Sequence, residues 1–452
     1  MEVTVETTEG LERRMSVQVP AARLDDEVSS RLQNLARTVR LDGFRPGKVP
    51  LKVVEKRFGG QVRSEVLNEV VQQTYGEALQ EKELNPAGSP QVEVKQGLVD
   101  GDLQYEAVFE VMPEVQVQGL DTMTLERPVA EVTDEDVDRV LHDLRKQRAE
   151  YETVDRAAND DDRVIVDFQG QVDGEEFPGS HGEDQPVTIG SGTMPPEFET
   201  ALKGLKAGDE KDIEYSFGED FPTQEIAGKT AVFKTRVKEV QEPRLPELDD
   251  EFASGIGLQE GGLQGLRDLI KKNLGNEATR ASKARLKEQV TEHLVQANDM
   301  TLPKALVDGE IQALQQQMKQ RLQQQTGDAD DRDLPAEIFE GQARRRVTLG
   351  LVMNRLISDN NIKLDTDLLR QRLQEMAAGY DQPEEVVKQY SQNRQLMQSL
   401  EINVLEDQVV DWAVEQATVS DVSMSIEDLL NPSRRTGRSE ATADDETSED
   451  DK

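Results

Sequence analysis

Two groups of side chains in this sequence have types and spacings that could do chemistry. The first is the octet Gly43-Phe44-Arg45-Pro46-Gly47-Lys48-Val49-Pro50, in which an apolar ring stands beside two cations. Two glycines and two prolines in eight residues cannot continue a helix, so the octet is a shaped loop. Between residues 31 and 63, nine cations (Arg31, Arg37, Arg40, Arg45, Lys48, Lys52, Lys56, Arg57, Arg63) meet only Asp42 and Glu55. Such a basic patch, in a chain of net charge −38, would be drawn to an anionic surface such as a phosphate backbone. The plainer reading of the same charges is a solvated loop.

The second group is apolar: Phe168, Phe177, Ile189, Met194, Phe198, Phe221 and Phe233, set in a frame rich in Gly and Pro. Composition alone makes these a small hydrophobic core. No nucleophile–base pair, phosphate-binding P-loop or paired-carboxylate arrangement stands out in the sequence. The chain has no cysteine, which excludes disulfides and thiolate metal sites and suits a reducing cytosol. Its three histidines (His142, His181, His293) lie far apart without ligand spacing, so neither a metal nor a cofactor is expected. No apolar run approaches the roughly 18–20 residues of a membrane span. The acidic, alternating start Met1-Glu2-Val3-Thr4-Val5-Glu6 is neither a secretory nor a transit signal, so a cytoplasmic protein without membrane contact is expected. The excess of 91 acidic over 53 basic residues has two readings, a surface that repels RNA everywhere except at the basic patch and an adaptation to a salty interior that screens self-repulsion, and the second is preferred.

The elements that must position these groups follow from periodicity. Residues 1–19 alternate around Gly10 as a hairpin. Leu24, Val28, Leu32, Leu35 and Val39 recur at helical spacing before the loop, and Pro50 opens the next helix. Val62, Val66 and Val70 mark a further helix over 61–82, followed by a breaker at Asn85–Pro90 and strands at Val92–Lys95 and Leu103–Val111. This gives an α+β domain over residues 1–113. Residues 114–156 form a connector and an arm helix, opened by a Thr133–Asp136 capping box and carrying an apolar face of Val137, Val140, Leu141 and Leu144. Residues 157–243 hold short alternating strands (164–168, 186–189, 211–217, 230–240) and one helical piece, Phe198–Leu205: a small antiparallel sheet wrapped on a helix. Residues 244–431 are helical, with Val307, Ile311, Leu314, Met318 and Leu322 as one stripe, and form an all-α body together with 114–156. The acidic composition of 432–452 predicts a disordered tail. The fold class is therefore multidomain α+β.

The loop resembles the ribosome-docking motif of the bacterial trigger factor family, Gly-Phe-Arg-x-Gly-Lys-x-Pro. Every fixed position is present: Gly43, Phe44, Arg45, Gly47, Lys48 and Pro50. The likeness runs in order from the N-terminus to about residue 431. Residues 160–240 resemble FKBP-type peptidyl-prolyl isomerases through Val-Asp-Gly-Glu-Glu-Phe (172–177), Ile-Gly (189–190), Met-Pro-Pro-Glu-Phe-Glu (194–199), Gly204, Gly208 and Gly228-Lys229. By that match, Phe168, Phe177, Met194, Phe198, Phe221 and Phe233 would line a prolyl pocket. Three positions depart from the FKBP pattern: Pro178 stands where many carry aspartate, Pro195 replaces an aliphatic residue with a backbone N–H, and Phe198 stands where many have Trp.

The resemblance implies an ATP-independent chaperone that docks beside the ribosomal exit tunnel, against a ribosomal protein and rRNA, through Phe44, Arg45 and Lys48. It implies nascent and unfolded polypeptides as clients, isomerisation of X–Pro bonds and a homodimer off the ribosome. A free-standing prolyl isomerase with helical assembly domains is the alternative from another class. A periplasmic chaperone of similar modular logic is disfavoured by the absent signal.

Overall fold

The computed structural model describes residues 1–42, 44, 49–97, 101–177, 179–218, 226–258, 260–326, 334–380 and 382–431. The chain divides into two compact units: residues 1–127 with 283–421, and residues 128–282 with 422–452. The tail expected to be disordered over 432–452 lies outside the described residues.

In the first unit, strands β1 (Glu2–Thr7) and β2 (Glu12–Val19) form an antiparallel hairpin. Helices α1 (Ala21–Thr38) and α2 (Leu51–Glu81) follow, then β3 (Gln91–Gln96) and β4 (Leu103–Glu110), giving a sheet of order β1-β2-β4-β3. Every second residue of β4 is buried, and Leu103, Tyr105, Ala107 and Phe109 join Met15, Val17 and Val19 beneath the two helices. Two helices were expected between Pro50 and Lys82, but α2 runs unbroken through Gly59-Gly60. Two mid-helix glycines cost about 2 kcal/mol together. Burial of Val54, Val62, Val66 and Val70 on one face offsets that.

The other core of this unit is helical. Strand β5 (Thr124–Val129) ends an extended segment, and Met123 just before it and Leu125 within it meet the C-terminal half of a long helix described below, with Leu286, Val290 and Leu294. Asn298 grips the segment at both polar groups of Gln118: its Oδ1 accepts the backbone N–H at 2.8 Å, and its Nδ2 donates to the carbonyl at 3.1 Å.

In the second unit, α3 (Asp134–Gln147) opens with the expected capping box: the Thr133 hydroxyl accepts the Asp136 N–H, and the Asp136 carboxylate accepts the Thr133 N–H. Strands β6 (Glu150–Val154), β7 (Arg163–Val172) and β8 (His181–Thr188), helix α4 (Pro196–Leu202), then β9 (Glu210–Ser216) and β10 (Thr230–Arg244) make one antiparallel domain. The sheet order is β6-β10-β7-β8, with β9 also on β10. Because β6 pairs with the last residues of β10 (Val154 with Val240, Glu150 with Arg244), the sheet begins at Glu150, ahead of the residue 157 expected from composition. Its entry and exit strands are neighbours. Helices α5 (Asp250–Gly255) and α6 (Gly262–Ala297) follow, and Phe252, Ala253, Leu266 and Ile270 cover the Val137 and Leu141 face of α3. The residues of α6 up to Ser282 belong to this unit, the rest to the first.

Back in the first unit, α7 (Lys304–Thr326), α8 (Glu337–Asp359), α9 (Thr366–Ala377), α10 (Pro383–Gln392) and α11 (Arg394–Gln416) complete the helical body. Its core adds Val307, Ile311 and Leu314 of α7 to Val352 and Leu356 of α8 and Val409 of α11. Strand β11 (Thr418–Ser423) then pairs with β5, a strand where only helix was expected, and the short α12 (Ile426–Leu430) after it belongs to the second unit. No helix among the described residues is long and apolar enough to cross a membrane.

Candidate prolyl pocket and docking loop

The aromatic residues of the five-stranded sheet converge. Phe168 on β7, Phe233 on β10 and Phe198 on α4 form a triangle with all three ring centroids 5.9 Å apart and interplanar angles of 71–85°. Edge-to-face contact is the arrangement that ring quadrupoles favour. Phe177 extends the set, 6.1 Å from Phe233 and 5.8 Å from Phe217. Phe198 is 3% exposed, whereas Phe168, Met194 and Phe233 are half-buried at the edge of the same core. Phe221 lies outside the described residues, as does Pro178.

Two glycines make room for these rings. Phe233 pairs across the sheet with Gly170, and Phe168 with Gly182. A Cβ at Gly170 would stand 2.5 Å from the Phe233 ring, and one at Gly182 2.7 Å from the Phe168 ring. Glycine inside a strand marks such a close approach. Phe217 and the Tyr215 ring beside it (4.9 Å) were not singled out from the sequence, although their alternation at the end of β9 was a usable signal.

The sequence reading also passed over Glu199. It follows Phe198 in α4, is 5% exposed, and accepts backbone N–H groups from Gly190 (2.9 Å), Gly192 (3.3 Å) and Met194 (3.1 Å). The Ser191 hydroxyl lies 3.3 Å from the same carboxylate. Burial pushes its pKa up, but these donors outweigh burial and hold the carboxyl below the usual glutamate range. A carboxylate with a lowered folded-state pKa contributes stability above its unfolded pKa and loses it as pH falls through the folded one. The stability difference between wild type and Glu199→Gln should therefore be constant near neutral pH and shrink in acid. Paired denaturation curves at neutral and acidic pH check this; a difference that grew as pH fell would contradict it.

At the docking loop, Phe44 is 40% exposed, Val49 is buried, and Pro50 caps α2 with φ −62°. Gly43, Arg45, Gly47 and Lys48 lie outside the described residues. Of the surrounding cations, Arg31 pairs with Glu69 at 2.5 Å and Arg63 with Asp25 at 3.0 Å, so these two brace α1 against α2. Arg37, Arg40, Lys52, Lys56 and Arg57 are exposed. Among the described residues, no group of three or more His, Asp or Glu side chains is arranged to hold a metal.

Three family models match successive parts of the chain: bacterial trigger factor protein over residues 1–144, FKBP-type peptidyl-prolyl cis-trans isomerase over 154–238, and the bacterial trigger factor C-terminus over 262–415. The chain is 56% identical to the trigger factor of Alkalilimnicola ehrlichii over 432 residues, covering 96% of each. It is 51% identical to that of Halorhodospira halophila, covering 95% of this chain and 98% of the relative. Against that of Thioalkalivibrio sulfidiphilus it is 47% identical, covering 97% of this chain and 100% of the relative. Likeness at this level over nearly the whole length, with an FKBP-type domain between two trigger factor regions, places this chain in the trigger factor family of ribosome-associated chaperones with built-in prolyl isomerase activity.

Proposed function

We propose that this chaperone docks on the ribosome through Gly43, Phe44, Arg45, Gly47, Lys48 and Pro50, and isomerises X–Pro bonds at the ring set of Phe168, Phe177, Met194, Phe198, Phe221 and Phe233. The observation that carries the catalytic half is the triangle of Phe168, Phe198 and Phe233, with Phe177 on its flank. The X–Pro barrier of roughly 18–20 kcal/mol comes from amide resonance, which the twisted transition state has lost. A dry aromatic wall accepts the pyrrolidine ring and favours the less polar twisted imide over the solvated planar one. Each 1.4 kcal/mol of such preference is worth about tenfold in rate. No covalent group is needed, and the pocket rings supply none.

Family membership supports the partners: the ribosome near its exit tunnel, through protein and rRNA, and nascent or unfolded polypeptides held by the helical body in the cytoplasm. The lack of a P-loop fits independence from ATP. A homodimer off the ribosome belongs to the same reading. The modular layout is a proposal as well: a docking domain over 1–113 and a helical body built from both sides of the insertion, within 114–149 and 245–431, with the expected isomerase segment 157–243 widened to the 150–244 that its sheet spans. Co-sedimentation with ribosomes alongside an assay on a proline peptide tests the whole. Activity in both supports it, whereas isomerisation without co-sedimentation would favour the free-standing isomerase.

A further inference from the structure

The segment from Ile189 to Pro196 forms one rim of the aromatic set, contributing buried Ile189 and half-buried Met194 to the core that holds Phe198. It cannot be held by regular structure. Gly190 and Gly192 have φ of 87° and 70°, and the segment ends in two prolines that donate no hydrogen bond. Its N–H groups are nonetheless all engaged. Ile189 donates to the Asp162 carbonyl at 3.0 Å and Ser191 to the Thr188 carbonyl at 3.3 Å. Thr193 donates to the Ser191 hydroxyl at 3.3 Å. The three remaining donors, on Gly190, Gly192 and Met194, all converge on Glu199.

One carboxylate thus closes every second N–H of a five-residue loop. An apolar side chain there would leave the Gly190, Gly192 and Met194 N–H groups without the acceptor that ties them together. A neutral amide of the same size has one acceptor oxygen and turns an NH2 toward N–H groups. Only a carboxylate satisfies the whole set, since it accepts on both oxygens and donates on neither.

We propose that Glu199 is the positioning residue of the prolyl pocket: its carboxylate fixes the 190–194 loop and so sets where Met194 stands against the rings. The inference rests on the reading of the ring set as the pocket. Because the loop N–H groups are spent on Glu199 and on the domain itself, this rim acts on a prolyl substrate through apolar side chains. Glu199 touches no substrate. It works through the loop.

The test uses the full-length protein with Glu199→Gln, Phe233→Ala and, as a control at an exposed neighbour, Glu197→Gln. Rates on a proline peptide are split into kcat and KM, and glycine-selective amide spectra are recorded for each variant. Misplacement of a pocket wall by about 1 Å can cost up to a hundredfold in rate. Glu199→Gln should therefore lose about tenfold or more in kcat, with the Gly190 and Gly192 amides shifted and those of Gly170 and Gly182 in place. Glu197→Gln should match wild type. If Phe233→Ala loses activity while Glu199→Gln keeps it within about twofold, the inference falls and the pocket stands. If Phe233→Ala keeps activity, the pocket reading itself falls. Should Glu199→Gln instead scatter the amides of the whole sheet domain, Glu199 is a folding residue and the positioning role is overturned.

Discussion

Full-length protein carrying Phe44→Ala, Arg45→Ala and Lys48→Ala together is expected to lose ribosome binding while melting as wild type does. Phe44 is 40% exposed at the tip beyond α1, so its removal opens no cavity in the core beneath the helices. The two cations would contact phosphates, and each such contact releases counterions on binding. Wild-type affinity should therefore fall steeply with salt, and removing two cations should reduce the log–log salt slope by about two. The ion pairs of Arg31 with Glu69 and Arg63 with Asp25 sharpen the comparison. Arg31→Ala should shift the salt slope little, because that guanidinium is already matched within the domain. Co-sedimentation in low and moderate salt measures all of this. A triple variant that still pellets with ribosomes would remove the loop as the anchor.

How much of this was legible in the sequence depends on the range of the physics involved. Signals confined to a few residues survived. The capping box at Thr133 is an interaction across three positions, and it formed. The Val137 and Leu141 face called for a partner, and α5 and α6 supplied one. Signals decided by tertiary partners did not survive. Gly59-Gly60 reads locally as a break, but the stripe of α2 is buried over the sheet and that burial decides. Strand β6 was assigned to the arm because its pairing partner lies almost ninety positions on, at the end of β10. Strand β11 was missed likewise, its partner β5 being remote in the chain.

The proposed pocket shows the same division. Its rings were named from the sequence through a resemblance, since composition could not tell a pocket from a core. The glycines that seat them lie opposite on neighbouring strands, which only the register reveals. Glu199 was one carboxylate among 91 acidic residues until the fold closed three N–H groups on it.

The ring set offers the second large effect, and burial separates two positions that looked alike in sequence. Phe198 sits at 3% exposure among Val164, Val166, Leu202 and Ile213, so Phe198→Ala removes core, at a cost of about 3–5 kcal/mol. Phe233 touches Phe168, Phe177 and Phe198 at once, yet its ring is half-buried at the edge of that core. Its backbone is held between β7 and β9, which keeps β10 in place when the side chain is cut back. Phe233→Ala is therefore expected to cost less stability and more function: a melting point close to wild type, with isomerisation of a proline peptide down by about tenfold or more, equivalent to about 1.4 kcal/mol or more of transition-state preference. Phe198→Ala should lose both together. Ribosome co-sedimentation should persist in both variants, because the docking loop and its helices contribute nothing to this core. The decisive comparison is activity per folded molecule. Should Phe233→Ala retain full activity while Phe198→Ala fails only in proportion to its unfolded fraction, the rings are simply a core and the prolyl site must lie elsewhere on the sheet.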